Sequence, residues 1–379
     1  MADAFKPNPA GTLLAEGVDL WAPWDPDKVQ WEGDVDSVFA SRTVELVASG
    51  FRWTEGPTWV EADRALLFSD TIDARIYKWS AADGSVVPLV EVSGGYDGSN
   101  VEDYEKLFEP GSNGMTLVGD DLYICQHPTH RIVKAKLSDI KPGTKFCENT
   151  FEVLADSVSP GGARLNSPND LVVGPDGGVW FTDPVYGFLL KDPSNPFVPV
   201  CPPPESVPKG CHNAGDMPYL DEAAGKAAGK TGVYRCKDGV LDLVVDNLDR
   251  PNGLAFDGAT LWVANSNNLE ASWTAYDTAP ILASTEPVTA PLTPVLKLSE
   301  ANLGPMPGPG LSDGFRIDSK HRIWSSCPNG MMVIDTVERR VVAKVAFNIN
   351  VSNIQFGAGG DVWVTGLGHL WRLQRKVDA

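Results

Sequence analysis

The sequence predicts an all-β chain folded as a six-bladed β-propeller, and three observations carry the prediction. Six times a polar residue is followed, eleven to thirteen positions later, by the centre of an aromatic or aliphatic strand. The offset holds while the residues between units vary, which marks a structural repeat. The 37 Gly and 30 Pro among 379 residues suit short strands joined by turns better than helices.

The polar residues are Glu55 (EGPTW), Asn113 (NGMTL), Asn169 (PNDLVV), Asn252 (PNGLAF), Asp313 (DGFRI) and Asn353 (SNIQF). The strands that answer them centre on Phe68, Ile124, Phe181, Val263, Ser325 and Val364. Each unit reads as four strands, the blade of a propeller. In the first blade TWVEA is innermost, followed by LLFSD, RIYKWS and SVVPLV. The second gives MTLVG, LYICQ, RIVKAKL and FEVLAD, and the third DLVVG, VWFTD, GVYRC and LDLVVD. In the fourth, LAFDG and LWVAN are clear, the third strand near Trp273 to Tyr276 is faint, and PVLKLS closes the unit. The fifth reads FRIDS, RIWSS, MMVIDT and VVAKVAF. Pro175-Asp176-Gly177-Gly178 and Asp257-Gly258 supply the reversals between first and second strands.

The sixth blade has only IQFGA, VWVTG and HLWRL before the chain stops. Its missing outer strand is expected from TVELVA, residues 43–48, so that an N-terminal strand closes the last blade and removes an exposed edge. Residues 43–379 then form the propeller. Residues 1–42, with Trp21, Trp24 and Trp31, are too irregular for a seventh blade and are expected as a strap across the surface. The interval from Asn169 to Asn252 is longer than its neighbours. The excess, residues 189–230, is rich in Pro and Gly and falls between the second and third strands of the third blade. It leaves the second strand at the end that carries Asn169, which predicts a partial lid over that mouth.

A net charge of −19 argues against nucleic acid or an anionic membrane as partner, because the long-range field would repel polyphosphate. No run is as apolar and long as a spanning helix, and the N-terminus lacks the basic start and apolar stretch of a secretory signal, so a cytoplasmic location is expected. The chain is expected to be a monomer or a homodimer. Cys125, Cys236 and Cys327 fall in strands, where free Cys behaves as a small hydrophobe. Cys201 and Cys211 could bridge, and no Cys/His spacing suggests a zinc framework.

In a propeller the innermost strands run side by side around the axis, so the six polar residues converge on a central channel. Glu55, Asn169, Asn252 and Asp313 offer two carboxylates and two amide oxygens. Hard oxygen donors of this kind select Ca²⁺, Mg²⁺ or Mn²⁺, and two formal negative charges match a divalent ion. Strand-capping and water binding are the alternative for any one of these positions. His127, at the end of a second strand, could bind substrate hydroxyls, shuttle a proton or simply hydrogen-bond within the fold. Arg164, Asn166 and Tyr186 flank the strands of the third blade and are candidate substrate contacts, with Asn113 and Asn169. Asp183 in FTDP is expected to fix its loop through backbone hydrogen bonds. Met115 and Met306 could give the pocket an apolar side.

The stretches EGPTW, ARLNSPNDLVVGPDGGVWFTDPVYG, RPNGLAF and DGFRIDSKHRIW resemble the senescence marker protein/gluconolactonase/luciferin-regenerating enzyme family, most closely its longer bacterial and fungal gluconolactonases. The likeness runs from about Phe51 to Arg372 and is most specific from Arg164 to Gly187. It implies a six-bladed propeller with an axial divalent ion, Ca²⁺ with Mg²⁺, Mn²⁺ or Zn²⁺ as alternatives. It further implies Glu55, Asn252 and Asp313 as direct ligands, Asn169 reaching metal or substrate, and Asp313 as base or nucleophile. Relatives often read Cys-Glu-His where this chain has Gln126. The activity implied is metal-assisted hydrolysis of a sugar-type lactone to its hydroxy acid. Two other functions stay open on the residues alone: a phosphotriester or fluorophosphate hydrolase at the same ion, and a non-catalytic binding propeller.

Overall fold

Six antiparallel four-stranded units make the propeller, each built outward from one innermost strand. The computed structural model describes residues 24–98, 104–146, 151–158, 162–192, 195–199, 229–266, 271–284, 286–287, 292–297 and 310–377. Trp21, Met306, the Cys201–Cys211 pair and most of the 189–230 insertion lie outside them.

The innermost strands are Thr54–Val60, Ser112–Val118, Leu171–Val173, Pro251–Asp257, Phe315–Ile317 and Val351–Phe356. Each contacts the inner strand of the next blade, which makes the channel wall continuous where these strands meet. Second strands are the driest part of each blade. Ala65–Asp70 and Val179–Asp183 are buried at every residue, because a neighbouring blade covers each face. Strands enclosed on both faces read as apolar runs rather than alternations. Trp180, Trp324, Trp363 and Trp371 fill the wedge between blades, and full burial of such a side chain stabilises by about 3 kcal/mol.

The strand that looked faint in the fourth blade is regular: Ser272–Asp277 pairs with Thr260–Asn265 along its whole length. Trp273 and Tyr276 are buried there, and Trp273 Nε1 donates to Ser325 Oγ of the fifth blade at 3.0 Å. Polar residues around those aromatics had masked the period.

Closure is as the sequence predicts. Glu45–Ser49 pairs antiparallel with His369–Gln374, so both ends of the chain share the sixth blade. Arg372 reaches back to Glu45 across the seam at 2.7 Å. Ahead of that strand, Gln30–Gly33 adds a fifth strand to the outer edge of the fifth blade, opposite Arg340–Ala346. The short helix Val35–Val38 follows, and Val35, Val38 and Phe39 pack into the core between the fifth and sixth blades. Phe39 meets Trp324 edge to face, with ring centroids 5.2 Å apart. Thr144–Lys145 likewise extends the first blade, in parallel with its outer strand. Cys125, Cys236 and Cys327 are free and buried.

Candidate metal centre and active site

Four inner strands break register at the same place: between Glu55 and Thr58, Ser112 and Met115, Pro251 and Leu254, and Val351 and Asn353. A bulge inserts a residue, bends its strand and re-aims the side chain it carries. Here each bulge lies at or beside the polar residue of the repeat. The glycine that follows the polar residue explains the spacing between blades. A Cβ on Gly56 would stand 2.3 Å from the Asn113 carbonyl oxygen, and one on Gly114 2.5 Å from that of Asn169. On Gly253 it would stand 2.6 Å from the Asp313 oxygen, and on Gly314 1.9 Å from the Asn353 side chain. The pairs EG, NG, NG and DG are therefore demanded by close approach as well as by turn chemistry. Backbone bonds reinforce the ring: Gly114 N donates to Asn169 O, and Gly314 N to Ser352 O, each at 2.7 Å. Hydroxyls on second strands stitch it further, Ser69 to Asn113 O at 2.8 Å and Thr182 to Asn252 O at 2.7 Å.

Glu55, Asn169 and Asn252 are buried and Asp313 is half-buried. Glu55 Oε2 accepts from Gly56 N at 3.2 Å and Asn353 Nδ2 at 3.3 Å. Burial, with the Asp170 charge beside it, holds the Glu55 carboxyl far above its ordinary range. Burial and the Glu55 charge do the same to Asp313. Asn252 donates Nδ2 to Ser266 Oγ at 3.0 Å, which turns its Oδ1 to the opposite side. Asn169 is pinned by backbone bonds on both sides, its N to Thr182 O at 2.9 Å and its O from Gly114 N. Two carboxylates whose proton affinity is raised by burial and by neighbouring carboxylates, beside two amides, are a donor set that a divalent cation would relieve. The residues thus fit the ion expected from sequence. Among the described residues no three His, Cys, Asp or Glu side chains are grouped as a metal site.

Two further carboxylates belong to this neighbourhood. Asp170 is fully buried; Oδ1 accepts from Leu171 N at 2.9 Å, and Oδ2 has no hydrogen bond among the described residues. Arg316 lies 3.9 Å from that oxygen. Asp170 stands where four of the other five blades place glycine after the polar residue, and that departure from EG, NG and DG was the available signal. Glu109 is the other. It acts on both Glu55 and Asp313 through its charge, and it sits in FEPGSNG, ahead of an inner strand, where no repeat position draws notice.

The candidate substrate contacts separate into groups. Asn113 is on the ring itself, buried beside Gly56. Tyr186 is half-buried, and its phenol is within reach of Asp313, Ser266 and Arg250; burial holds its hydroxyl protonated well beyond the ordinary tyrosine range. His127 is fully buried with Nδ1 3.2 Å from Glu109 Oε2. Arg164 lies over the Phe188 ring at 5.4 Å, and His130 stacks on that ring. Asn166 commits Nδ2 to Asp183 Oδ2 at 3.1 Å and to Gly229 O at 2.9 Å. Asp183 also accepts from the backbone of Asn166 and Ser167 at 2.8 Å each, so it braces this loop as expected. Met115, expected on an apolar side of the pocket, is fully buried in the core between the first two blades, beside the register break.

Residues 53–193 and 206–366 match the family described as "SMP-30/Gluconolactonase/LRE-like region". The chain belongs to this family. A gluconolactonase of Zymomonas mobilis subsp. mobilis is 30% identical over 298 residues, covering 77% of this chain and 69% of that protein. A gluconolactonase structure from Xanthomonas campestris superposes with a TM-score of 0.64 at 25% identity, over 94% of this chain and 98% of the other. A calcium-binding protein of Agrobacterium tumefaciens, regucalcin, shares the fold at 11% identity and a TM-score of 0.53, over 89% and 95% of the two chains. The resemblance read from EGPTW, the Arg164 to Gly187 block and DGFRIDSKHRIW therefore holds over the propeller as a whole.

Proposed function

We propose that this protein is a divalent-metal-dependent lactonase that opens a sugar-type lactone, with Glu55, Asn169, Asn252 and Asp313 holding the ion. The burial of two carboxylates on the inner-strand ring, Glu55 and Asp313, with the Glu55 charge further raising the proton affinity of Asp313, is the observation that carries the reading. Membership of the gluconolactonase family supports the substrate class. A bound divalent ion supplies Lewis acidity toward the lactone carbonyl and charge to offset the two carboxylates.

The chain's own residues do the rest. Asp313 takes a proton from the attacking water as the new C–O bond forms at the carbonyl carbon. It returns that proton to the ring oxygen as the ring C–O bond breaks, so the product is the open hydroxy acid. Ser326 Oγ accepts from Asp313 N at 2.8 Å and fixes the backbone that aims the carboxylate. Tyr186, with its hydroxyl kept protonated, keeps a hydrogen-bond donor near Asp313.

The test is a pH-indicator assay on chelated protein with single ions restored, using five- and six-membered aldonolactones beside a fluorophosphate. Lactone hydrolysis should vanish on chelation and return with Ca²⁺ or another hard divalent ion. Asp313→Asn should lower kcat by about 10² to 10⁴. Wild-type rates in that variant would remove Asp313 as the base, and faster fluorophosphate turnover would move the reading to phosphoester chemistry.

A further inference from the structure

We propose that Glu109, braced by His127, is a substrate-hydroxyl acceptor that makes the channel selective for polyhydroxylated lactones over deoxygenated ones. The inference deepens the lactonase reading and rests on it for the reaction. It starts from a charge count. A divalent ion would balance Glu55 and Asp313, and Asp170 has Arg316 at 3.9 Å. Glu109 is the fourth carboxylate of the group, and its charge is felt at Glu55, Asp313 and Tyr186. His127 Nδ1 stands 3.2 Å from Glu109 Oε2.

His127 is the second, independent observation. Its side chain is 0% exposed, and neither ring nitrogen makes a hydrogen bond among the described residues. A fully buried imidazole so placed is costly unless a group arriving in the channel completes its neighbourhood. Substrate hydroxyls can do so, donating to Glu109 and accepting from the ring. Alkyl carbons cannot.

The ledge that carries Glu109 is fastened on both sides. Phe108 N donates to Leu189 O at 2.7 Å, and Gly111 N to Thr71 O at 2.8 Å. Tyr104 donates its hydroxyl to Pro110 O at 3.2 Å. The carboxylate is therefore held before substrate arrives, so little ordering entropy is left to pay on binding. Gly187 packs so closely on His127 that a Cβ there would fall 3.0 Å from the His127 carbonyl oxygen and 3.1 Å from its Cβ.

The experiment compares glucono-δ-lactone with δ-valerolactone, the same ring without hydroxyls, on metal-loaded wild type, Glu109→Leu and Glu109→Gln. Calorimetry with 1,5-anhydroglucitol, which keeps the hydroxyls and lacks the carbonyl, runs alongside. Glu109→Leu should reduce the preference for the hydroxylated ring, as a ratio of kcat/KM values, by about 10- to 100-fold, chiefly through KM. Glu109→Gln, which keeps shape and a neutral acceptor, should fall between. Anhydroglucitol binding should weaken in the same order. Equal loss on both lactones, or an unchanged ratio with unchanged anhydroglucitol affinity, overturns the proposal. Should wild type hydrolyse neither lactone, the lactonase reading fails and the calorimetry alone decides for or against Glu109.

Discussion

His130 shows how a single side chain ties pH to the fold. It is buried at a backbone φ of 54°, its Nδ1 bonded to Asn166 O and its ring stacked on Phe188. Burial, and then the Arg164 charge, push it down to about 3. The unfolded chain binds this proton near pH 6.5 and the folded chain does not, so its contribution is complete above 6.5 and is lost as pH falls toward 3. Between pH 7 and 5 the loss is about 2 kcal/mol. Urea midpoints of wild type should fall over that window, and those of His130→Asn, which tolerates the positive φ, should fall less. A sequence reading cannot foresee the burial that makes His130 acid-sensitive, because that depends on Phe188 arriving from the next blade.

At the scale of the element, the closing strand bears on the whole ring. Thr54 Oγ1 lies 2.6 Å from Gly366 O and 2.7 Å from His369 O, and accepts from Gly366 N at 2.9 Å, joining the first blade to the sixth. Thr54→Val leaves those groups unpaired in a dry seam and should cost about 1 to 3 kcal/mol by urea denaturation. Removing residues 43–49 is more severe, since it bares the edge of His369–Gln374. Light scattering should then report association, where full-length protein stays dispersed. The pairing was legible because the sixth unit lacked a strand and the N-terminus offered one of the right length. Gln30–Gly33 on the fifth blade was not, since four residues with Gly and two charged neighbours carry no strand period.

For the whole molecule, the ring of polar residues links ion binding to stability. Chelated protein buries Glu55 and Asp313 without a counter-ion, and by mass action a divalent ion at a hundred times its Kd should add about 2.7 kcal/mol, read as a rise in Tm. Asp313→Asn should melt higher than chelated wild type and lose most of the ion-induced rise. An ion-insensitive wild type would count against the four-residue site. Six-fold organisation, blade order and the places of Glu55, Asn169, Asn252 and Asp313 on or beside the inner strands were readable from period and residue type. Asp170 and Glu109 were not, because each lies beside a repeat position rather than on it.

The sequence by itself determined the propeller, its closure and the family, because each rests on local period, turn residues and motifs that survive without knowing the neighbours. Tertiary structure alone decided which polar groups share the channel. Bulges at Glu55, Asn113, Asn252 and Asn353 turn those residues, and close backbone approach at Gly56, Gly114, Gly253 and Gly314 brings successive blades into contact. Distances across blades follow from how wedges pack, and a one-dimensional pattern does not carry that information.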